Sequence, residues 1–463
     1  MQENTGRTAN DRSEHQFATR LGERDLSIEG DVVKGAADHG GGREVRVTRE
    51  QARRYLVGRD LLARRRPSSA PAVVEAVRKL EYVQIDPVFV VERNHHLVLW
   101  SRLDGYRPDD LDEALYGCPD LIEVMGFVRM IVPTEDFPLF RPAFDRVRAE
   151  NERRFAALAP LMEQVRERIR GEGPLSSAEI EDDGRVDSWW RASARAANQA
   201  LNLLWYTGQV AVSGRRNNRQ YFDLPERVVP AAILEKRPAD PERELTLKYL
   251  DAYGLGLPAD VQYGWFHAPS ARRTEISEQL VEEGLAVRVV LEGAKRPYYA
   301  PKAEEEALVA AASPSAVPAS PFTGAHGPLV RFLAPLDNLL ASRRRLSEVF
   351  GFDYTWEIYL KPEKRKYGAY TMVVLYGDRL VGRFSPSLDR ANGVLNVEGF
   401  WLEDQFEPTP GHAPDHAIDH AFSFTEGLLE ELKKFARFHG AGVVRFTGPR
   451  PPVLKTLGDK IKT

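Results

Sequence analysis

Two side chains in the run Tyr82-Val83-Gln84-Ile85-Asp86-Pro87 have the types and spacing to do chemistry. In an extended backbone successive residues point to opposite sides, so Gln84 and Asp86 project together while Val83 and Ile85 project the other way. A carboxylate beside an amide can position and activate a water, or stabilise a cationic sugar as a glycosidic bond breaks. The same residues also suit a polar strand edge that ends in a turn, because Asp-Pro is common turn chemistry. Pro87 cannot donate to a ladder and restrains Asp86 to extended conformations, which predicts a short strand end or loop for the pair.

Two groups of histidines raise the question of a metal. His95 and His96 stand side by side in the helix-compatible run from Val91 to Arg102. Adjacent positions point about 100° apart on a helix, so the two rings read as structural or phosphate-contacting and not as ligands of one ion. His412, His416 and His420 recur at intervals of four beside Asp415 and Asp419. Pro414 would open a helix there and leave His412 outside it, and no His-Glu-x-x-His arrangement is present. A metal-dependent hydrolase built on these three is a third-ranked reading, and no metal or cofactor is expected. There is also no phosphate loop, dinucleotide fingerprint or Gly-x-Ser-x-Gly elbow.

Across 463 residues, 64 Lys and Arg face 68 Asp and Glu, a net charge of -4. Bulk electrostatics therefore gives no sign of a nucleic-acid binder, and such a role must rest on local patches. The patches are Arg64-Arg65-Arg66, Arg215-Arg216 with Arg219, Arg343-Arg344-Arg345, and Lys361 with Lys364-Arg365-Lys366. Two of them fall on expected hairpin or loop tips, where backbone phosphates are gripped. Acidic residues concentrate elsewhere, so the expectation is one basic concave face with Asp86 as an isolated carboxylate in it. The single cysteine, Cys118, excludes an internal disulfide framework and a Cys-rich metal site. No apolar run approaches the roughly 18 residues of a membrane span, and the cytoplasm is the natural compartment.

The elements that must position these residues follow from patterning. Residues 1–44 are too poor in apolar side chains to offset their ordering entropy and read as a disordered tail. Structure is expected from Thr48, where Thr48-Arg49-Glu50-Gln51 has capping-box spacing. A second helix carries Val73, Val77 and Leu80 after Pro71. Residues 45–145 make a first unit with the Gln-Ile-Asp motif. Residues 146–235 hold a long charged helix, a second helix through Ala196, Ala200 and Leu204, and a hairpin with the polar tip Gly214 to Arg219, which is the order of a winged helix. Residues 236–302 repeat that grammar. Residues 303–325, rich in Ala, Ser and Pro, read as a linker. Residues 326–463 read as a β-rich domain with strands over Trp356 to Leu360, Tyr370 to Tyr376, Arg379 to Phe384 and Gly393 to Trp401, closed by a helix near Phe422 to Phe438. The fold class is α+β, with tandem winged helix-turn-helix units and a β-rich C-terminal domain.

Several of these stretches, in one order along one chain, resemble the winged-helix DNA glycosylase family that excises alkylated purines and unhooks interstrand crosslinks, the YcaQ-like, AlkZ-type group. The resemblance covers roughly Arg49 to Phe400. It is carried by Tyr82 to Asp86 with Val91 to Arg102, by Gly173 to Ser176 through Trp189-Trp190 to Gly214-Arg215-Arg216, by Leu333 to Leu340 with Arg343-Arg344-Arg345, and by Phe350 to Tyr354 with Lys364 to Gly368. The family's catalytic signature is Gln, an aliphatic residue, then Gln or Asp, so the resemblance implies that Gln84 and Asp86 are catalytic. It further implies double-stranded DNA with alkylated or crosslinked purines as the partner of a monomeric enzyme. Contacts to that DNA are expected from Arg93, His95, His96, Arg102, Arg215, Arg216, Arg219, Arg343, Arg344, Lys364, Arg365 and Lys366. No lysine in the motif can form a Schiff base, so a monofunctional glycosylase is expected. Where the family pattern has a histidine, this chain runs Glu123-Val124-Met125-Gly126-Phe127-Val128-Arg129-Met130 without one. That departure supports the alternative, a non-catalytic winged-helix regulator or lesion sensor.

Overall fold

The computed structural model describes residues 44–181, 184–186, 194–216, 219–260, 262–265, 268–311, 323–324, 327–404, 406 and 417–463. Most of the expected tail, His412 and His416 lie outside them, as does Trp189-Trp190, and the side chain of His420 is not described. The fold is α+β. Among the described residues no helix is long and apolar enough to cross a membrane.

The chain enters as strand β1 (Glu44–Val47), with Val45 and Val47 buried, and turns into helix α1 (Arg49–Arg59). The capping box is present: Thr48 Oγ1 accepts from the Gln51 N–H at 3.1 Å, and Gln51 Oε1 accepts from the Thr48 N–H at 2.8 Å. Structure thus begins before Thr48. Helix α2 (Ala70–Leu80) buries Val73, Val77 and Leu80 and ends at Glu81, whose φ of 64° stops it. Strand β2 (Val83–Gln84) and helix α3 (Asn94–Arg102) follow, and then the hairpin β3 (Leu121–Met125) and β4 (Arg129–Pro133). β2 pairs antiparallel with β4, setting Gln84 opposite Met130, in a sheet of order β2-β4-β3.

Helices α4 (Glu152–Glu172) and α5 (Ala196–Tyr206) lead to the expected hairpin, β5 (Ala211–Arg216) with β6 (Arg219–Asp223). Helices α6 (Pro241–Tyr253) and α7 (Ser270–Glu282) lead to a second, β7 (Ala286–Leu291) with β8 (Tyr298–Pro301). β1 joins β7 in parallel, so residues at the start of the chain share a sheet with residues near 290.

The C-terminal region is a six-stranded sheet in the order β9 (Val330–Leu333), β10 (Met372–Tyr376), β11 (Arg379–Asp389), β12 (Val394–Leu402), β13 (Val443–Phe446) and β14 (Lys460–Lys462). Helix α8 (Ala417–Phe438) makes the crossover that the parallel pair of this sheet, β12 with β13, requires.

Two expectations are corrected. Trp356 to Leu360 is no strand, since Glu357–Tyr359 is a 3-10 turn. The Glu357 carboxylate accepts from the N–H groups of Lys366, Tyr367 and Gly368 at 2.8 to 3.1 Å, so a side chain takes the role that a ladder would have had. Residues 303–311 are no linker either. They form a helical turn and a short helix, pinned where Glu304 pairs with Arg59 at 2.9 Å and with Lys79 at 2.5 Å. Burial would raise the Glu304 carboxyl, but these cations hold it at about 2.

The C-terminal sheet also braces the motif. Leu97, Val98 and Trp100 of α3 share one core with Phe332, Phe384 and Phe435, and the Trp100 and Phe435 rings meet edge to face at 5.0 Å. Polar staples complete the brace. Asn94 Nδ2 donates to the Gln84 carbonyl at 3.0 Å while its Oδ1 accepts from Leu336 N at 3.1 Å. Asn338 Nδ2 donates to the Tyr82 carbonyl at 2.9 Å. Arg102 forms a two-pronged ion pair with Asp337, at 2.7 and 3.0 Å, with both side chains fully buried. Removing one member of such a pair leaves an uncompensated charge, so Asp337→Ala is expected to lower the unfolding free energy by about 3 to 5 kcal/mol. Urea denaturation followed by tryptophan fluorescence checks this, and a loss within error of zero would refute it.

Candidate active site

The motif lies where β2 runs out. Gln84 is half-buried, and its backbone is held by the Met130 register and by Asn94. Asp86 is only 1% exposed; its Oδ1 accepts from the Val88 N–H at 2.8 Å, the local turn that Asp favours. Asp86 acts electrostatically on the buried Tyr370 phenol. Burial pushes that phenol well above its usual pKa, and the charges of Tyr354, Asp86 and Glu92 add to the shift. The Tyr370 hydroxyl is buried without a hydrogen-bond partner among the described residues. Glu92 has its carboxyl raised by burial. Asp86 is therefore not the isolated carboxylate expected.

Ile85, the middle residue of the motif, is one wall of a cavity of about 210 Å3 that is also lined by Arg93, His95, His96, Asp112, Tyr116, Glu123 and Arg215, with Leu111, Leu115 and Ile131 as apolar walls. Its polar framework is centred on Glu123. Arg215 reaches both carboxylate oxygens at 2.9 and 2.7 Å, and the Tyr116 hydroxyl donates to one at 2.5 Å. Burial alone would raise the Glu123 carboxyl; the Arg215 guanidinium overrides it and holds the group below its usual value. The imidazoles of His95 and His96 lie 4.3 Å apart, and His96 Nδ1 is 2.8 Å from the Tyr106 hydroxyl. Burial, then the charges of Arg93 and Arg215, bring His96 down to about 3. His95 is lowered well below its usual value, mostly by burial and then by His96, Arg215 and Arg93. Both rings are neutral at neutral pH and line a cavity, so neither is the phosphate-gripping cation that a DNA contact would use.

The other expected contacts divide in two. Arg102 is a correction: its guanidinium is spent on Asp337 and on the Asp60 and Val98 carbonyls, with no surface left for a phosphate. Arg365 is half-buried and donates to the Glu357, Leu360 and Ile358 carbonyls. Arg215 belongs to Glu123. Arg216 and Arg219 stay exposed on the β5–β6 hairpin, Arg216 stacked 4.7 Å above the Tyr221 ring. Arg343, Arg344, Lys364 and Lys366 are exposed, and Arg93 is half-buried at the cavity. Sequence reasoning missed Glu123, Tyr116, Asp112 and Tyr370. Glu123 had left a signal, a lone carboxylate in the apolar strand Leu121-Ile122-Glu123-Val124-Met125 where the resemblance led us to look for a histidine. Among the described residues no group of His, Cys, Asp and Glu is placed to hold a metal ion.

A family model described as DNA glycosylase AlkZ-like matches residues 77–438, a span that includes the motif and every cavity residue. Among solved structures, the chain is similar to the Streptomyces sahachiroi DNA glycosylase AlkZ at 17% identity and a TM-score of 0.56, over 87% of this chain and 100% of that one.

The neutral histidine pair sets an acid limit. In the unfolded chain both rings protonate near pH 6.5. The folded state resists protonation down to about pH 3 at His96, so the stability they contribute is present above pH 6.5 and is lost as pH falls through that window. The urea midpoint should drop between pH 7.5 and 5, and His96→Gln should flatten the slope. An unchanged slope in the variant would contradict the assignment.

Proposed function

This chain belongs to the AlkZ-like DNA glycosylase family, and we propose that it hydrolyses the N-glycosidic bond of N7-alkylated purines in duplex DNA with Gln84 and Asp86 at the reaction centre. The observation that carries this reading is the placement of the Gln84-Ile85-Asp86 run: a half-buried amide and a buried carboxylate two positions apart at a strand end, with Ile85 between them lining a polar cavity, inside the span that matches the family.

N7-alkylation leaves the purine cationic and already a good leaving group, so no strong general acid is needed. The C1′–N9 bond breaks with its electron pair passing to the purine, which departs neutral. Water held by the Gln84 amide adds to C1′ and passes its proton to Asp86, whose carboxylate first steadies the oxocarbenium-like sugar. Burial strengthens that stabilisation, because a charge shielded from water acts through a lower effective dielectric. The motif contains no amine to capture C1′, which supports a monofunctional enzyme without a lyase step. A purine joined through N7 to the opposite strand presents the same leaving group, so crosslinked duplexes belong in the substrate panel. The exposed Arg216 and Arg219 at the β5–β6 hairpin, preceded by α4 and α5, support reading residues 146–235 as a winged helix whose wing tracks the phosphate backbone; residues 45–145 and 236–302 are its proposed counterparts.

Release of N7-methylguanine from alkylated duplex DNA tests the proposal. Asp86→Asn should lower the single-turnover rate by about 10²- to 10⁴-fold, and robust release by the Gln84→Ala, Asp86→Asn double variant would end the mechanism. Damage-selective binding without base release would favour the sensor reading. Affinity for duplex should fall steeply with added salt in spite of the net charge of -4, because phosphate contacts release counterions. The slope should shallow by roughly one unit for each of Arg216 and Arg219 replaced by Ala.

A further inference from the structure

Phe89 stands three positions after Asp86, in a segment without helix or strand, and is 48% exposed. Leaving a large aromatic ring half in water forgoes burial free energy, so such a ring beside a reaction centre calls for a partner. The segment that presents it is not slack. Val88 N–H is tied to Asp86, the Arg93 N–H donates to Glu92 Oε1 at 2.8 Å, and Arg390 donates to the Val91 carbonyl at 2.9 Å and the Val90 carbonyl at 3.5 Å. Arg390 comes from the turn between β11 and β12, which Asn392 closes by donating twice to Asp389, at 3.1 and 2.8 Å. The ring itself is stacked by cations: the Arg390 guanidinium carbon is 4.4 Å from its centroid and that of Arg93 is 5.4 Å. The result is a pre-set aromatic blade, flanked by two positive charges and covalently close to the motif carboxylate.

A blade with this chemistry fits a base stack between two phosphates. Bases offer an apolar, polarisable face to a phenyl ring, and phosphates complement guanidinium groups on either side. Apolar wedges of this kind unstack a base step and kink the duplex. We propose that Phe89 is a positioning residue that inserts into the DNA stack beside the lesion, with Arg93 and Arg390 facing the neighbouring phosphates, so that the damaged nucleotide is presented unstacked to Asp86. The role rests on the glycosylase reading. It adds a residue that never touches the reacting atoms, and its effect should depend on how tightly the target base is stacked.

The test compares Phe89→Ala, Phe89→Leu and the wild-type full chain on two duplexes, one with N7-methylguanine opposite cytosine and one with the same lesion opposite an abasic site, where unstacking is already cheap. Phe89→Ala should lose about tenfold to a hundredfold in single-turnover rate on the paired duplex, the rate equivalent of one base–aromatic stack. It should recover to the wild-type rate opposite the abasic site, and Phe89→Leu should retain most activity on both. A 2-aminopurine placed next to the lesion should brighten on binding wild-type protein and stay quenched with Phe89→Ala. Equal loss on both duplexes, or no loss on either, would overturn the wedge. If wild-type protein released no base at all, the glycosylase reading would fall, while the 2-aminopurine signal would still decide whether Phe89 enters the stack.

Discussion

Arg102 and Asp337 meet with both side chains fully buried, and the geometry of the motif depends on that meeting. Two charges taken out of solvent are tolerable only when paired and fully hydrogen-bonded. Here the guanidinium also satisfies the Asp60 and Val98 carbonyls, and the carboxylate also accepts from the Leu339 N–H. The pair fixes the last turn of α3 against the segment after β9. Asn94, at the first turn of the same helix, then ties the Gln84 carbonyl to Leu336, and Asn338 ties Tyr82. One short stretch, Leu333 to Leu340, thus registers both ends of α3 and the strand that leads into Asp86. A buried pair of this kind adds little net stability over an apolar replacement, but it admits one arrangement only.

Around that frame, opposite charge states are held side by side. Glu123 stays ionised because Arg215 and Tyr116 grip its oxygens, while His95 and His96 are kept neutral by burial and by the charges of Arg215 and Arg93. A cavity so arranged offers hydrogen-bonding edges and apolar walls and already has its main anionic wall neutralised. The exposed arginines and lysines, by contrast, sit on hairpins and turns away from this interior, where the backbone of a duplex can reach them.

What could be read from residues alone was whatever is settled within a few positions. The capping box at Thr48, the helix that buries Val73, Val77 and Leu80, and the hairpin at 211–223 are of that kind, since each is decided by local hydrogen-bonding and periodicity. Arg102 looked like a phosphate contact because its partner is 235 positions away. Glu357 converts an apparent strand into a turn by accepting from backbone N–H donors nine to eleven residues on, which strand propensity does not weigh. Residues 303–311 resemble a linker in composition, yet Glu304 is clamped by Arg59 from the far end of the chain. Charge runs were informative only after pairing was known: Arg215 and Arg216 are neighbours in sequence, and one is internal scaffolding while the other faces solvent.

The long reach of these contacts bears on how the protein comes into being. Among the described residues β1 finds its only strand neighbour in β7, about 240 residues further on, and the core under α3 is finished by Phe332, Phe384 and Phe435. During synthesis the stretch around Gln84 and Asp86 leaves the ribosome early but has no floor to rest on until the C-terminal sheet has followed it. Folding must close very long loops before those contacts repay the entropy spent, which makes assembly of the motif a late and slow event. A prematurely terminated chain lacks the residues that shape the motif, so the native arrangement around Gln84 and Asp86 arises only once synthesis is nearly complete.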